Sequence, residues 1–264
     1  MGGESSKNKQ TTKSNAISNI KKGGNTNKSF GDIDNYIATS KKTRILNIKN
    51  LKLKGLPERT IEVAEFLKVM DASQNLITFI PTCIGKFTNL KQLTLNQNAI
   101  NEIPEEIGLC QNLTKLELSG NKLNYLPDNI KMLHKLTTIN LSKNSFTVFP
   151  IVLCSLVNLE VIDISENDIT ELPEEVENLN CLELNLSFNK LEKLHDNLAK
   201  CTKLKLLRVN NNNLTLESFT KSLLSDSKIV KIDIDSNRFS EKDFQSLPGY
   251  DSYEQRYTAN RMKI

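Results

Sequence analysis

The residues able to do chemistry in this 264-residue chain are few and scattered. Its two histidines, His134 and His195, have no cysteine or carboxylate at ligand spacing such as H-x-x-x-H. Five cysteines, Cys83, Cys110, Cys154, Cys181 and Cys201, stand too far apart for a C-x-x-C knuckle, and their odd number does not suit a disulfide framework. They read as reduced, mostly interior thiols. Acid pairs occur as Glu105-Glu106 and Glu174-Glu175, each just after a proline, where carboxylates favour the positive end of a short helical turn. No G-x-S-x-G, G-x-G-x-x-G or G-K-[ST] is present, so neither a nucleophile elbow nor a phosphate cradle is predicted. No catalytic residue, metal site or cofactor is therefore expected, and the chain is read as non-enzymatic.

One covalent chemistry does have its residues. Met1-Gly2-Gly3-Glu4-Ser5-Ser6 fits the N-myristoylation pattern, with Gly2 as acyl acceptor and Ser6 in the required position. A single acyl chain binds membranes only marginally and needs a second signal. Lys7, Lys9, Lys13, Lys21, Lys22 and Lys28 supply one, since each lysine near an anionic leaflet adds about 1 kcal/mol. Residues 1–31 hold these six lysines against Glu4, amid Gly, Ser, Asn and Thr. They are expected to form a disordered basic arm, lacking the apolar surface to offset ordering. The arm carries +5 of the formal +4, leaving residues 32–264 at −1. Lipid-anchored residence on the cytoplasmic face of a membrane, with a cytosolic pool, is the expectation.

The rest of the chain is periodic. Pro57, Pro81, Pro104, Pro127, Pro150 and Pro173 recur at 24 and then 23 residues. Asn75, Asn98, Asn121, Asn144, Asn167, Asn189, Asn212 and Asn237 mark the same frame, clearest in Leu113-Thr114-Lys115-Leu116-Glu117-Leu118-Ser119-Gly120-Asn121-Lys122-Leu123. A degenerate first copy, with Leu51 in the asparagine slot, brings the count to nine. In each copy the L-x-L pair predicts a short strand with both leucines inward, stacked into one parallel sheet on a concave face. Each Pro-x-x-Ile/Val segment predicts a helical or 3₁₀ turn on the convex side. The expected fold is an α/β solenoid over residues 32–264, closed by a cap helix at 32–42, with Ile33, Tyr36 and Ile37 packed inward, and by a C-terminal cap at 240–264. In the latter, Tyr250, Tyr253 and Tyr257 form one helical stripe that seals the core.

This frame resembles the intracellular leucine-rich-repeat family of scaffold and signalling proteins. Ile84-Gly85-Lys86-Phe87-Thr88-Asn89-Leu90, Ser222-Leu223-Leu224-Ser225-Asp226-Ser227-Lys228-Ile229 and the tail from Tyr250 to Ala259 are similar to a branch of that family whose members begin Met-Gly. The resemblance implies a myristoylated, membrane-attached repeat protein without enzymatic activity, and supplies no partner. In that branch the cap helix follows the glycine closely, whereas here the long arm intervenes.

Recognition then falls to the outward positions of the strands. The central column includes Asp71, Thr94, Glu117, Asn140, Asp163, Asn185 and Arg208, with Asp71, Glu117 and Asp163 as an acidic line and Glu166 and Glu183 beside it. The next column, Ser73, Asn96, Ser119, Ser142, Ser165, Ser187 and Asn210, is small and hydrogen-bonding. Phe188 is the aromatic candidate for a hot spot, or else packs on a neighbouring repeat. Such a polar face fits a protein partner rich in basic or hydroxyl groups. A phosphatase-regulatory subunit or small-GTPase effector would use the same face. Nucleic acid is disfavoured, because the lysines lack interleaved arginine or aromatic residues. A monomer is expected.

Overall fold

The computed structural model describes residues 30–261. Residues 1–29 of the basic arm, with Gly2 and its six lysines, and the last three residues lie outside them. The helix α1 spans Phe30–Thr43, starting two residues ahead of the expected cap and ending one after it. Ile33 and Ile37, one turn apart, are buried against the first repeat, while Tyr36 is exposed. The tyrosine, at i+3 from Ile33, falls at the edge of the buried stripe and is thus not part of this seal.

Nine three-residue strands follow, β1 (Ile45–Asn47), β2 (Val69–Asp71), β3 (Gln92–Thr94), β4 (Lys115–Glu117), β5 (Thr138–Asn140), β6 (Val161–Asp163), β7 (Glu183–Asn185), β8 (Leu206–Arg208) and β9 (Lys231–Asp233). They form one parallel sheet in sequence order. Central residues pair without slippage, as in Leu93 with Leu116 and Leu116 with Ile139. The first leucine of each L-x-L pair is the buried middle of a strand and the second is the next inward residue, as with Leu116 and Leu118. At about 25 cal/mol per Å², this continuous apolar column is the main stabilising term of a stack whose single repeats have no interior.

The interior is held across repeats by asparagine. The Asn121 Nδ2 donates to the carbonyls of Leu118, in its own repeat, and Leu95, in the one before, at 2.9 and 3.0 Å. Its Oδ1 accepts the N–H of Ile100 in the preceding repeat at 3.0 Å. The same triad recurs at Asn75, Asn98, Asn144, Asn167, Asn189, Asn212 and Asn237. Because each amide reaches backwards, the first repeat has no earlier repeat to staple, which explains why Leu51 is tolerated there. The N–H groups of Leu51 and Leu53 are themselves satisfied by Asn75 Oδ1.

On the convex side, 3₁₀ turns such as Glu105–Leu109 and Asp128–Met132 start after an extended proline. Proline gives up no hydrogen bond at that position. The turns stack closely: a Cβ on Gly108 would sit 2.6 Å from the Asn129 carbonyl oxygen. Glu105 Oε2 accepts the N–H of Asn129, so the first acid of this pair belongs to the stacking of turns. The longer repeat between Asn212 and Asn237 carries α2 (Lys221–Ser225), capped by the Thr220 hydroxyl.

The chain closes with α3 (Glu241–Gln245), started by a Ser240–Asp243 capping box, and α4 (Tyr250–Arg261). Gly249 makes the turn between them with φ +94°, a conformation glycine reaches without Cβ strain. Phe219, Phe239 and Phe244 pack together in edge-on and stacked contacts, and Phe244 meets Tyr250 and Tyr253 of α4 edge-on. Tyr253 is buried and its Oη accepts the N–H of Ile232 at 3.0 Å, covering a donor on the open edge strand β9. Tyr250 and Tyr257 are half-buried. The tyrosine stripe therefore seals the core mainly through its middle member.

Candidate functional site

On each strand the third residue points out of the concave face, and next to it the chain turns off the sheet. That turn leaves a backbone N–H two residues on, and the side chain takes it. Asp71 Oδ1 accepts from the N–H of Ser73, Asn140 from Ser142, Asp163 from Ser165 and Asn185 from Ser187, all at 2.9–3.1 Å. At β4, where the residue is Glu117, the N–H of Ser119 is taken instead by Asn96 Oδ1 of the preceding repeat at 2.7 Å. The central column therefore has a structural duty beside any role in recognition. The duty needs only an acceptor, so Asn and Asp perform it equally.

The adjoining serines are also less available than their composition implied. Ser73, Ser142, Ser165 and Ser187 are buried, because the column lies at the bend, where the next repeat covers it. Ser142 and Ser165 donate to the side chains of Asn140 and Asp163, and Ser187 donates to Asn210. Among the described residues, Ser73 Oγ is the buried side-chain oxygen left without a partner.

Ion pairs across neighbouring positions break up the acidic line. Glu117 is held by Lys115 at 2.9 Å, Glu166 by Lys143 at 3.3 Å, and Glu183 by Arg208. Arg208 also reaches Asp233 at 3.4 Å. Among the described residues, Asp71 and Asp163 have no cation within ion-pair distance, and both are half-buried. The uncompensated charge of the candidate column is thus two carboxylates four strands apart.

Phe188 is 53% exposed and does not fold onto a neighbouring repeat. Its φ is +56°, and it belongs to a column of left-handed residues, each just before the ladder asparagine: Gln74, Gln97, Gly120, Lys143, Glu166, Phe188, Asn211 and Ser236. The left-handed turn throws its side chain to the rim of the concave face. Sequence reasoning did not foresee this geometry, although Gly120 in that column was its signal.

The other reactive types are structural. His195 occupies the proline position of its repeat, and its Nδ1 accepts the N–H of Asn197 at the start of a 3₁₀ turn. His134 is exposed and lends its backbone carbonyl to Asn158. Burial pushes the Cys110, Cys154 and Cys181 thiols up to about 12 and that of Cys201 to about 11, so they stay protonated and weakly nucleophilic. Cys83 is half-buried. Among the described residues no group of three or more His, Cys, Asp or Glu could hold a metal ion, and no helix is long and apolar enough to cross a membrane.

Sequence reading missed a hollow at the C-terminal end, where β9, α3 and α4 meet around about 260 Å³. Its acids sit in three separate segments, so no local motif announces it.

With this geometry in place, the comparisons agree on the class. Residues 111–169 match the leucine rich repeat family model. A leucine-rich-repeat protein of Leptospira interrogans is similar in structure, 29% identical over 74% of this chain and 51% of that one, with a TM-score of 0.67. The plant peptide hormone receptor RGFR1, solved in complex with RGF2, is 32% identical over 67% of this chain and 30% of its own, TM-score 0.55. A plant ice-binding protein is 25% identical over 70% of this chain and 61% of its own, TM-score 0.55. The chain spans about half the length of the first and under a third of the second. The fold is that of a leucine-rich-repeat solenoid, and the match supports the leucine-rich-repeat family, whose modules typically bind proteins and do not catalyse.

Proposed function

We propose that the chain is a non-enzymatic interaction scaffold that receives a protein partner on its concave face, with Asp71, Asp163 and Phe188 as principal contacts. Thr94, Glu117, Asn140, Asn185 and Arg208 form the surrounding surface. The observation that carries this reading is the identity of the central column. Asn and Asp make the same backbone bond there, so folding does not dictate an acid at 71 or 163, and neither has an ion-pair partner among the described residues. An unneutralised carboxylate on a surface otherwise rich in hydrogen-bonding groups suits a partner with basic side chains. That the similar receptor was solved with a ligand is consistent with such a use of the fold.

The same proposal places the body at the cytoplasmic face of a membrane, held by a myristoyl group on Gly2 and by the arm lysines, with a cytosolic pool. It rests on the Met-Gly-x-x-x-Ser start and on the resemblance of residues 84–90, 222–229 and 250–259 to leucine-rich repeat-containing protein 57.

The binding half is tested with the Asp71→Asn/Asp163→Asn double variant, which keeps both backbone bonds. Partners enriched by proximity labelling with the native chain should fall away at an unchanged melting temperature; an identical partner set would move the interface elsewhere. Intact mass of the native protein reads the acyl group directly. A fluorescent Gly2→Ala fusion should leave the membrane fraction, and a fusion that stays there would sink the anchoring half.

A further inference from the structure

The C-terminal hollow is walled by aromatic rings and rimmed by carboxylates. Tyr253 and Tyr257 lie nearly parallel, with ring centroids 6.2 Å apart, and Tyr250 tilts against Tyr253 at 5.8 Å. Phe244 closes the floor edge-on to Tyr250. Around the mouth stand Asp235 from the end of the ninth repeat, Glu241 from α3 and Glu254 from α4. None of these three has an ion-pair partner among the described residues, while the lysine at the mouth, Lys231, is taken up by Asp233 at 2.8 Å. The nearby Arg256 is spent elsewhere, on the carbonyls of Ile229, Ser225 and Ser252. Glu254 is oriented by the Tyr250 hydroxyl, which donates to its Oε2 at 2.6 Å.

We propose that this hollow receives the arginine side chain of a basic peptide segment in a protein partner. Three features select that group. Ring faces attract a cation placed over them, most strongly when it is partly desolvated. A planar guanidinium stacks on such faces while its edge donors reach carboxylates on more than one side, which a compact ammonium does less well. Anions are repelled by three acids that have no ion-pair partner among the described residues, and a neutral apolar group would leave that charge unanswered. The volume of about 260 Å³ accommodates one side chain, not a folded element. This contact is distinct from the concave column at Asp71 and Asp163, and it stands or falls separately.

The chain reports on the site without a label. It has no tryptophan, and three of its five tyrosines line the hollow. Titrating the full chain with N-acetyl-Gly-Arg-Gly-amide, followed by ring resonances of the assigned tyrosines, should shift Tyr250 and Tyr257 saturably and leave Tyr36 and Tyr125 unmoved. The citrulline peptide, isosteric and uncharged, should bind at least about tenfold more weakly. So should the native peptide on the Asp235→Asn/Glu254→Gln variant, whose melting temperature should match the native chain because both acids sit at the mouth. Equal binding of the arginine and citrulline peptides overturns the proposal. So does an undiminished affinity in the double variant, or the absence of any ring shift at millimolar peptide. A lysine peptide that binds as tightly as arginine would overturn the choice of a guanidinium.

Discussion

Two columns of short polar side chains run the length of this solenoid, and they obey different rules. The inner column is asparagine at all eight positions from Asn75 to Asn237. The outer column, at the third position of each strand, mixes Asn47, Asp71, Asn140, Asp163 and Asn185 while making one recurring bond to the N–H two residues on. The inner amide must donate to two carbonyls and accept from one N–H in a dry interior, which only a neutral group with both functions can do. The outer side chain need only accept, at the edge of water, so charge is permitted there. A repeat protein can therefore vary its surface charge within a position whose structural role is fixed.

The most severe way to break this contrast is to exchange the two chemistries. Asn167→Asp removes the donor to Leu141 and Ile164 and places a carboxylate against their carbonyls, and should cost roughly 3–5 kcal/mol in chemical denaturation. The penalty should grow as pH rises above the carboxyl range, because ionising the buried acid opposes folding. A loss under about 1 kcal/mol would mean that the ladder tolerates charge after all. Next in size, Tyr253→Phe uncovers the Ile232 N–H at the sheet edge and should cost about 1–2 kcal/mol. No loss would show that the cap acts through ring packing alone. Phe188→Gly goes the other way: it relieves a left-handed side chain and should raise stability by up to about 1 kcal/mol while weakening partner binding. Smallest of all, Asp163→Asn and Asn140→Asp should each change stability by less than about 0.5 kcal/mol. A larger change in either would show that charge in the outer column serves folding.

Much of this was legible in the residues. Proline and asparagine spacing located the strands and turns, and the alternation of Leu116, Glu117 and Leu118 gave their faces. What stayed hidden was lateral. Lys143 meets Glu166 and Arg208 meets Glu183 only because stacking brings one repeat beside the next, a distance that the linear chain does not display. The burial of Ser142 and Ser165 has the same origin: a small polar residue reads as surface until the bend that encloses it is known. Tyr36 has the right helical spacing for the cap, but it stands at the edge of the stripe that Ile33 and Ile37 bury, and its exposure is set by how the helix tilts on the first repeat. The C-terminal hollow joins acids from three segments, and no pattern within any one of them foretells the meeting.

The backward reach of the asparagines gives the stack a direction in time as well as in space. During synthesis a repeat leaves the ribosome with one of its interior N–H groups unanswered, and the answer is the amide of the repeat still to come. Each newly made repeat thus completes its predecessor, and the aromatic lid, made after the ninth, completes it through Tyr253. A chain halted early would always end on an unfinished turn, exposing a donor that marks it as incomplete.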